Sequence, residues 1–308
     1  RADTKLNKRA ILYDGLMNYG IYGEDSPIKN ILNPDELKAL DPASLVEKIK
    51  TLTSYNHYIY YYGKKSIADV KDLLNVNHKS PATLKPLITA KAFTELTRET
   101  NKVYFVNYNM VQTEVVMLYN AGAYNKDLAA STTIFNEYFG RGLSSIIFQE
   151  IRESKALAYS AYAAFTTPIK AYKPHFVRAY VGTQVDKLAE ATKAIIELMN
   201  EMPEVEDQFQ DAKIAALKKI ETSRTKRSNL FWNYLAANEM GRDYDINEKI
   251  YTKIKTLDLT DLKTFFDENI KGKNYTYLVI GKKEVMDMKV LEKMGELEEL
   301  TLEEIFGY

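Results

Sequence analysis

Three histidines, His57, His78 and His175, are the first candidates for chemistry in this chain. No two of them lie four residues apart, so neither H-E-x-x-H nor the inverted H-x-x-E-H can be drawn. A helical zinc site needs such a pair on one face, and the sequence therefore predicts that this chain holds no zinc by itself. We interpret His57 as a half-buried strand residue, and we find no partner close in sequence for His78 or His175.

The loop at residues 140–146 is the next candidate, because it combines glycines with two serines. The elbow of a serine hydrolase has the form G-x-S-x-G, but Gly142-Leu143-Ser144-Ser145-Ile146 has no second glycine. Gly140-Arg141-Gly142 also lacks the third glycine and the downstream acid of a dinucleotide fingerprint. The loop thus predicts neither serine catalysis nor strong phosphate binding.

Composition excludes several classes of protein. The 42 Lys and Arg residues balance 42 Asp and Glu residues, which argues against a nucleic-acid binder. No apolar run approaches the ~20 residues of a membrane span. With no cysteine in the chain, disulfide frameworks, thiol catalysis and iron–sulfur clusters are excluded. We expect a soluble protein, and the compartment stays open between bacterial periplasm and cytoplasm.

Two distant stretches share one layout. Residues 56–65, from Asn56 to Gly63-Lys64-Lys65, match residues 274–283 at an offset of 218. Chance similarity of two common helix-strand-turn-helix units is one interpretation, and a duplicated domain is the other. The charged start of the chain, without an initiator Met or a signal peptide, is typical of a piece of a longer chain.

The duplication hypothesis predicts three regions. Residues 1–76 would be the C-terminal third of a preceding homologous domain, residues 77–101 a linker with Pro81 and Pro86, and residues 102–308 one complete copy. Two strands come before any helix in that copy, which favours an α+β fold with a mixed or antiparallel sheet. The predicted strands are Lys102–Tyr108, Val111–Asn120, Ala158–Thr166, Phe176–Gly182, Tyr275–Ile280 and a tail strand Glu299–Ile305, with a further strand Tyr58–Tyr62 in the first region. The predicted helices are Asp127–Phe139, Ile146–Ser154, Val185–Glu201, Glu204–Arg227, Asn229–Met240 and Leu259–Asn269, with Ile67–Leu74 and Val285–Met294 after the two repeat strands.

One segment, residues 139–160, resembles a known family. A glycine turn, Ser-Ser, Phe148, the triplet Ile151-Arg152-Glu153 and then Leu157-Ala158-Tyr159 resemble the C-terminal, inactive-type domain of the insulinase/pitrilysin zinc metallopeptidases, which include the mitochondrial processing peptidase. The resemblance implies homologous α+β domains in two halves that enclose a proteolytic chamber. It also implies a zinc site in an N-terminal domain, built on a motif that this sequence lacks.

The resemblance gives roles to two residues. In active members an Arg and a Tyr seven positions apart reach across the chamber to the substrate backbone, and Arg152 and Tyr159 have that spacing. A guanidinium and a phenol hydroxyl can donate to a developing oxyanion, while zinc in the other half would act as Lewis acid. Gly140, Gly142 and Ser144 would support the loop. The alternative is that Arg152 pairs with a neighbouring glutamate and Tyr159 fills a strand face.

Two functions follow from the resemblance. The chain is either the substrate-binding C-terminal half of a zinc metalloendopeptidase, inactive alone, or a non-catalytic structural or assembly subunit of the same fold. A peptide-binding module that uses sheet edges is a third, weaker hypothesis. The expected partners are a zinc-bearing N-terminal half, on the same protein or on another subunit, and a peptide substrate. Zinc is expected only in that other half.

Overall fold

Six strands form one mixed sheet. They are β1 (Lys102–Asn107), β2 (Gln112–Ala123), β3 (Ser160–Thr166), β4 (Pro174–Gln184), β5 (Thr276–Gly281) and β6 (Glu296–Glu299), in the order β3-β4-β2-β5-β1-β6. The structure is a computed structural model that describes residues 2–242 and 245–308. Pairing is antiparallel from β3 through β4 and β2 to β5, whereas β1 lies parallel to β5 and β6. The predicted mixed sheet in an α+β chain is confirmed.

Most of the predicted helices are present, with ends within a few residues of the predicted ones. Several have a turn widened to π geometry, so their full extents are 8–22, 129–140 and 146–154. The other α-helices are Pro34–Lys38, Pro42–Lys50, Ile67–Asn77, Leu188–Asn200, Glu206–Thr222, Leu230–Glu239, Ile246–Thr256, Leu259–Asn269, Met288–Glu292 and Leu302–Phe306. Short 3₁₀ turns lie at Ala2–Leu6, Pro27–Lys29, Leu52–Ser54, Lys126–Leu128, Val185–Lys187, Arg227–Asn229 and Lys283–Val285.

The central strands are covered on both faces, which explains their unbroken apolar runs. Alternate residues of β1, Val103 and Phe105, join the large core beneath the helices, and Val115 and Met117 of β2 do the same. The residues between them, such as Val116, face the opposite way into a second, smaller core. In a strand that is buried on both faces, apolar residues do not alternate with polar ones. The sequence pattern therefore does not show which residues face which core.

The second face is covered by helix 8–22, which the sequence analysis did not predict. Ile11, Leu12 and Leu16 are fully buried in the second core. Gly20 allows the helix to approach the sheet, since a Cβ there would lie 2.7 Å from a methyl carbon of Leu278. By its contacts, the chain up to Ile31 therefore forms one unit with Thr94–Tyr308.

Residues Leu32–Phe93 form a separate unit. Its three helices each start at a side-chain cap, from Asn33, Asp41 and Ser66. None of these helices buries a residue completely. Between Asn77 and Lys102 the described chain contains no helix and no strand, only an isolated bridge between Tyr55 and Lys85.

The predicted strand Tyr58–Tyr62 is wrong in this structure. Its residues form no ladder, and Tyr58 is 83% exposed. The aromatic and β-branched composition favours a strand, but a strand forms only where another strand pairs with it. No such partner lies among the described residues of this unit.

Two further differences concern the end of the chain and the segment before Leu259. The predicted tail strand Glu299–Ile305 is instead the end of β6 followed by helix Leu302–Phe306, which begins with a capping box of Thr301 and Glu304. Helix Ile246–Thr256 was not predicted, although Ile246, Ile250 and Ile254 have helical spacing.

We expect a pH-dependent contribution to stability from His175, which is 1% exposed. Its Nε2 accepts a hydrogen bond from Asn125 N (2.9 Å) and its Nδ1 donates to Thr166 O (3.1 Å), so the ring is held neutral. Burial lowers the pKa of His175 below its usual 6.5. The unfolded chain then binds more protons, so this contribution is complete above pH 6.5 and is lost as the pH falls below it.

Urea unfolding of the wild-type chain and of His175→Gln between pH 7.5 and pH 5 measures this contribution. The wild type should lose more stability on acidification than the variant, since titration of the other groups cancels in the comparison. Parallel pH profiles for the two proteins would contradict the assignment.

Candidate functional site

The helix that carries Arg152, residues 146–154, is positioned by the glycine loop before it. Gly142 has a φ of +95°, a conformation that favours glycine, and turns the chain into the helix. The buried Ser145 caps the helix by accepting from Phe148 N, whereas Ser144 is exposed and makes no cap. Ser145 is therefore the residue of the serine pair that caps this helix.

Gly140 has a different role, which is close packing. A Cβ at this position would lie 2.1 Å from the carbonyl oxygen of Ala163 on the edge strand β3. One turn earlier, Asn136 pairs with that strand through both amide atoms, accepting from Phe165 N (2.9 Å) and donating to Phe165 O (3.0 Å). Helix 129–140 thus covers the outer edge of β3 and places the loop that follows.

The turn between Arg152 and Tyr159 is held by three hydrogen bonds from different elements. Leu157 N donates to Ile151 O (2.9 Å), Thr183 Oγ1 donates to Leu157 O (2.6 Å) and Lys187 Nζ donates to Ala156 O (2.8 Å). Ala156 has a φ of +48°, which is uncommon for a residue with a Cβ. Such a conformation persists only where its surroundings hold it, and the three hydrogen bonds do so here.

Tyr159 lies at the start of β3 with its ring on the surface. The side chain is 54% exposed, and its hydroxyl accepts a hydrogen bond from Gln184 Nε2 at 2.7 Å. Its backbone N–H donates to Gly182 O on β4 (2.9 Å). The ring is therefore accessible to a ligand.

Arg152 is also accessible, with 45% of its side chain exposed. Its guanidinium carbon lies 4.8 Å from the centre of the Phe148 ring, and its Nε is 3.7 Å from a carboxylate oxygen of Glu153. An ion pair this long and exposed contributes little. Arg152 thus pairs with a neighbouring glutamate, as the alternative interpretation expected. Because this pair is weak, the guanidinium can still bind a further acceptor.

Arg152 and Tyr159 line one cavity of about 270 Å³. Gln184 and Lys187 line it too, although neither was predicted from the sequence. Only the pairing of β3 with β4 brings them beside Tyr159, so a sequence motif could not have found them. The cavity offers a guanidinium, a phenol hydroxyl, an amide and an ammonium group beside the carboxylate of Glu153. The donors suit peptide carbonyls, and the carboxylate can accept from a peptide N–H.

The histidines lie outside this cavity. His57 Nε2 lies 2.8 Å from His78 Nε2, so His78 has a partner that the sequence analysis missed, and His57 is exposed rather than in a strand. A zinc site needs at least three protein ligands. No group of three or more His, Cys, Asp or Glu side chains that could hold a metal occurs in residues 2–242 and 245–308. The residues of this chain therefore do not fit the zinc of the insulinase/pitrilysin enzymes.

We expect purified, tag-free protein to contain no stoichiometric, tightly held zinc, because two exposed imidazoles are too few for a structural site. Metal analysis by mass spectrometry after dialysis measures this directly. About one zinc per chain, retained against a weak chelator, would contradict the prediction, and loss of that zinc in His57→Ala would place it at the histidine pair.

This geometry agrees with comparison to known proteins. Residues 50–220 match the model of the peptidase M16 inactive domain, and the chain belongs to that family. It is a peptidase-related domain of the non-catalytic type within the insulinase-like metallopeptidases. The predicted resemblance is therefore confirmed at the level of the family. Among curated proteins, none matches this sequence.

Solved structures share the fold at low sequence identity. A conserved protein from Enterococcus faecalis V583 is 15% identical with a TM-score of 0.70, over 92% of this chain and 65% of its own. A peptidase M16 inactive domain from Pseudomonas fluorescens is 14% identical with a TM-score of 0.64, and the match covers 93% of this chain and 68% of that one. The ferredoxin protease FusC, solved with Arabidopsis ferredoxin, is 11% identical with a TM-score of 0.65, over 91% and 31%.

The chain thus spans less than two thirds of the Enterococcus faecalis protein and about a third of FusC. Among the described residues, no helix is both long enough and apolar enough to cross a membrane.

Proposed function

We propose that this chain is the substrate-binding, non-catalytic part of a zinc metallopeptidase that degrades or processes peptides. Arg152 and Tyr159 bind the backbone of the substrate from one side of a chamber, and a zinc-bearing half supplies the catalytic metal from the other side. That half belongs to the same protein or to a partner subunit. FusC, a protease of similar fold solved with a protein ligand, supports a role in protein or peptide recognition.

The observation that carries the proposal is the shared cavity of Arg152 and Tyr159. Both side chains are accessible, and the turn between them is held by hydrogen bonds to its backbone. Donors fixed before the substrate arrives stabilise an oxyanion without reorganisation at the moment of reaction. Gln184 supports this arrangement, because its amide donates to the Tyr159 hydroxyl and leaves the phenol proton free for the substrate.

A second candidate is a non-catalytic structural or assembly subunit, favoured by the match to an inactive domain. In that case Arg152 and Tyr159 are an inherited surface. The sequence of the full-length protein that contains this chain distinguishes the two functions. An H-x-x-E-H motif on a predicted helix upstream supports the peptidase, and its absence from the full-length protein and from every stable partner supports the assembly subunit.

The duplicated arrangement is part of the same proposal. Residues 1–76 descend from a preceding homologous domain, residues 77–101 are its linker and residues 102–308 are the complete copy. Asp41 caps helix Pro42–Lys50 and Asp258 caps helix Leu259–Asn269. The two caps are 217 residues apart, one fewer than the offset of segments 56–65 and 274–283, so the repeat includes one inserted or deleted residue. In a structure of the longer protein, Tyr58–Tyr62 should pair as β5 does here. A different connectivity there would make the repeat a coincidence.

The test of function is peptide cleavage by the parent protein, or by this chain mixed with its zinc-bearing partner. We expect cleavage of unfolded peptides that needs both zinc and this chain. No cleavage with zinc supplied, or equal cleavage without this chain, would overturn the peptidase proposal in favour of the assembly subunit.

A further inference from the structure

A second cavity, of about 430 Å³, lies between helix 129–140, helix Ile246–Thr256 and the C-terminal end of β3. It shares no lining residue with the cavity of Arg152 and Tyr159. Arg141 enters it from the loop after the first helix, and Arg242 from the turn after helix Leu230–Glu239. Its volume is within the range of small-molecule sites.

The two arginines of this cavity have no acidic partner among the described residues. No ion pair involves Arg141 or Arg242 among residues 2–242 and 245–308, and no described lining residue is an Asp or a Glu. In a chain of zero net charge, this local excess of cations is a specific feature of the site.

Hydrogen-bonding groups without a partner surround the same space. Tyr124 Oη, Thr132 Oγ1 and Arg242 Nε are buried, and none has a hydrogen-bond partner in the described structure. Thr132 is only 6% exposed. Its neighbour Thr133 donates to Ala129 O at 2.8 Å in the usual helical manner, whereas Thr132 does not. Buried polar groups are nearly always paired, so these three groups are available to hydrogen-bond a molecule that enters the cavity.

The chemistry of that ligand follows from the lining. Guanidinium groups and hydroxyls donate to oxygen, and arginine matches the planar geometry of carboxylate and phosphate groups. Ile246, Ile250 and Ala129 provide an apolar wall beside them. We propose that this cavity binds a small organic oxyanion, with Arg141, Arg242, Tyr124 and Thr132 donating to its oxygens and the isoleucines contacting its apolar part.

Thermal melting and calorimetric titration of the tag-free chain test this site, with inorganic phosphate and valerate as probes and sodium chloride at equal ionic strength as reference. Binding to the native state raises the melting temperature by mass action. We expect at least one probe to bind better than chloride. Tighter phosphate binding assigns the site to phosphate-bearing ligands, and tighter valerate binding assigns it to carboxylates.

Arg141→Gln and Arg242→Gln should each weaken binding by roughly 10- to 100-fold, as expected for a lost charge-assisted hydrogen bond. Arg224→Gln is the matched control, since that guanidinium lies outside the cavity and donates to the backbone carbonyls of Glu221 and Ser223 at a helix end. Arg242→Lys retains the charge and keeps the test valid if Arg242→Gln does not fold.

Thr132→Val separates ligand binding from a structural role. Removing an unpaired buried hydroxyl should raise the melting temperature of the free chain and should lower its affinity for the ligand. A loss of stability together with unchanged binding would mean that Thr132 is structural. Binding of neither probe beyond chloride, or equal binding by the wild type and both Arg→Gln variants, would overturn the proposal.

Discussion

Replacing Tyr159 by phenylalanine is expected to lower peptide turnover by about 10²–10³-fold in a protein that joins this chain to its zinc-bearing half. The variant keeps the ring and deletes one hydroxyl. That hydroxyl is accessible and accepts from Gln184, so its own proton is available to the substrate. The loss corresponds to about 2.7–4 kcal/mol of transition-state stabilisation, as for other single oxyanion donors.

Stability should barely change in Tyr159→Phe, because the side chain is half exposed and Gln184 can turn to water. Tyr172→Phe, at a tyrosine that is 72% exposed and outside the cavity, is the matched control and should leave turnover intact. Unchanged cleavage by Tyr159→Phe, with a lower melting temperature for Tyr159→Ala, would show that the residue serves packing alone.

Arg152→Lys should be damaging for a related reason. A lysine keeps the charge but not the planar fork that binds a carbonyl or carboxylate through two N–H groups. The Phe148 ring would also orient an ammonium less well than a guanidinium. Steady-state kinetics with peptides measures this, and a variant with wild-type kcat/KM would remove Arg152 from the substrate site.

Replacing Gly140 by alanine is expected to destabilise the larger unit by about 3 kcal/mol or more. The added Cβ would lie 2.1 Å from the carbonyl oxygen of Ala163, and a backbone atom cannot move away without shifting β3. The Asn136 bonds to Phe165 hold the helix and the strand together at this point, so the strain cannot be relieved by local separation. Chemical denaturation measures the change.

Gly142→Ala is the informative comparison. Gly142 has positive φ but no atom within 4 Å of the position that a Cβ would occupy. Its cost is therefore limited to backbone strain of about 1–2 kcal/mol. Equal destabilisation by the two variants would mean that close approach to β3 is not what Gly140 provides.

Local sequence patterns predicted much of this fold because they report local preferences. Helix Leu259–Asn269 has the predicted bounds, and β1, β2, β4 and β5 each lie within a few residues of the predicted strands. The glycine-containing loop predicted at residues 140–146 does precede helix 146–154. The strand predicted at Tyr58–Tyr62 is wrong because its composition favours a strand, whereas a strand forms only with a pairing strand that can lie far away in the sequence.

The sequence by itself determined the family, the α+β class and the spacing that places Arg152 and Tyr159 on either side of one corner. Tertiary structure alone decided that helix 8–22 covers the second face of the sheet, that Gln184 and Lys187 join Tyr159, and that Arg141 and Arg242 share a cavity. The physical reason is the sequence separation over which each kind of contact acts. Helical periodicity and capping depend on neighbours a few residues away, whereas strand register and cavity walls depend on contacts between residues that are distant in the chain.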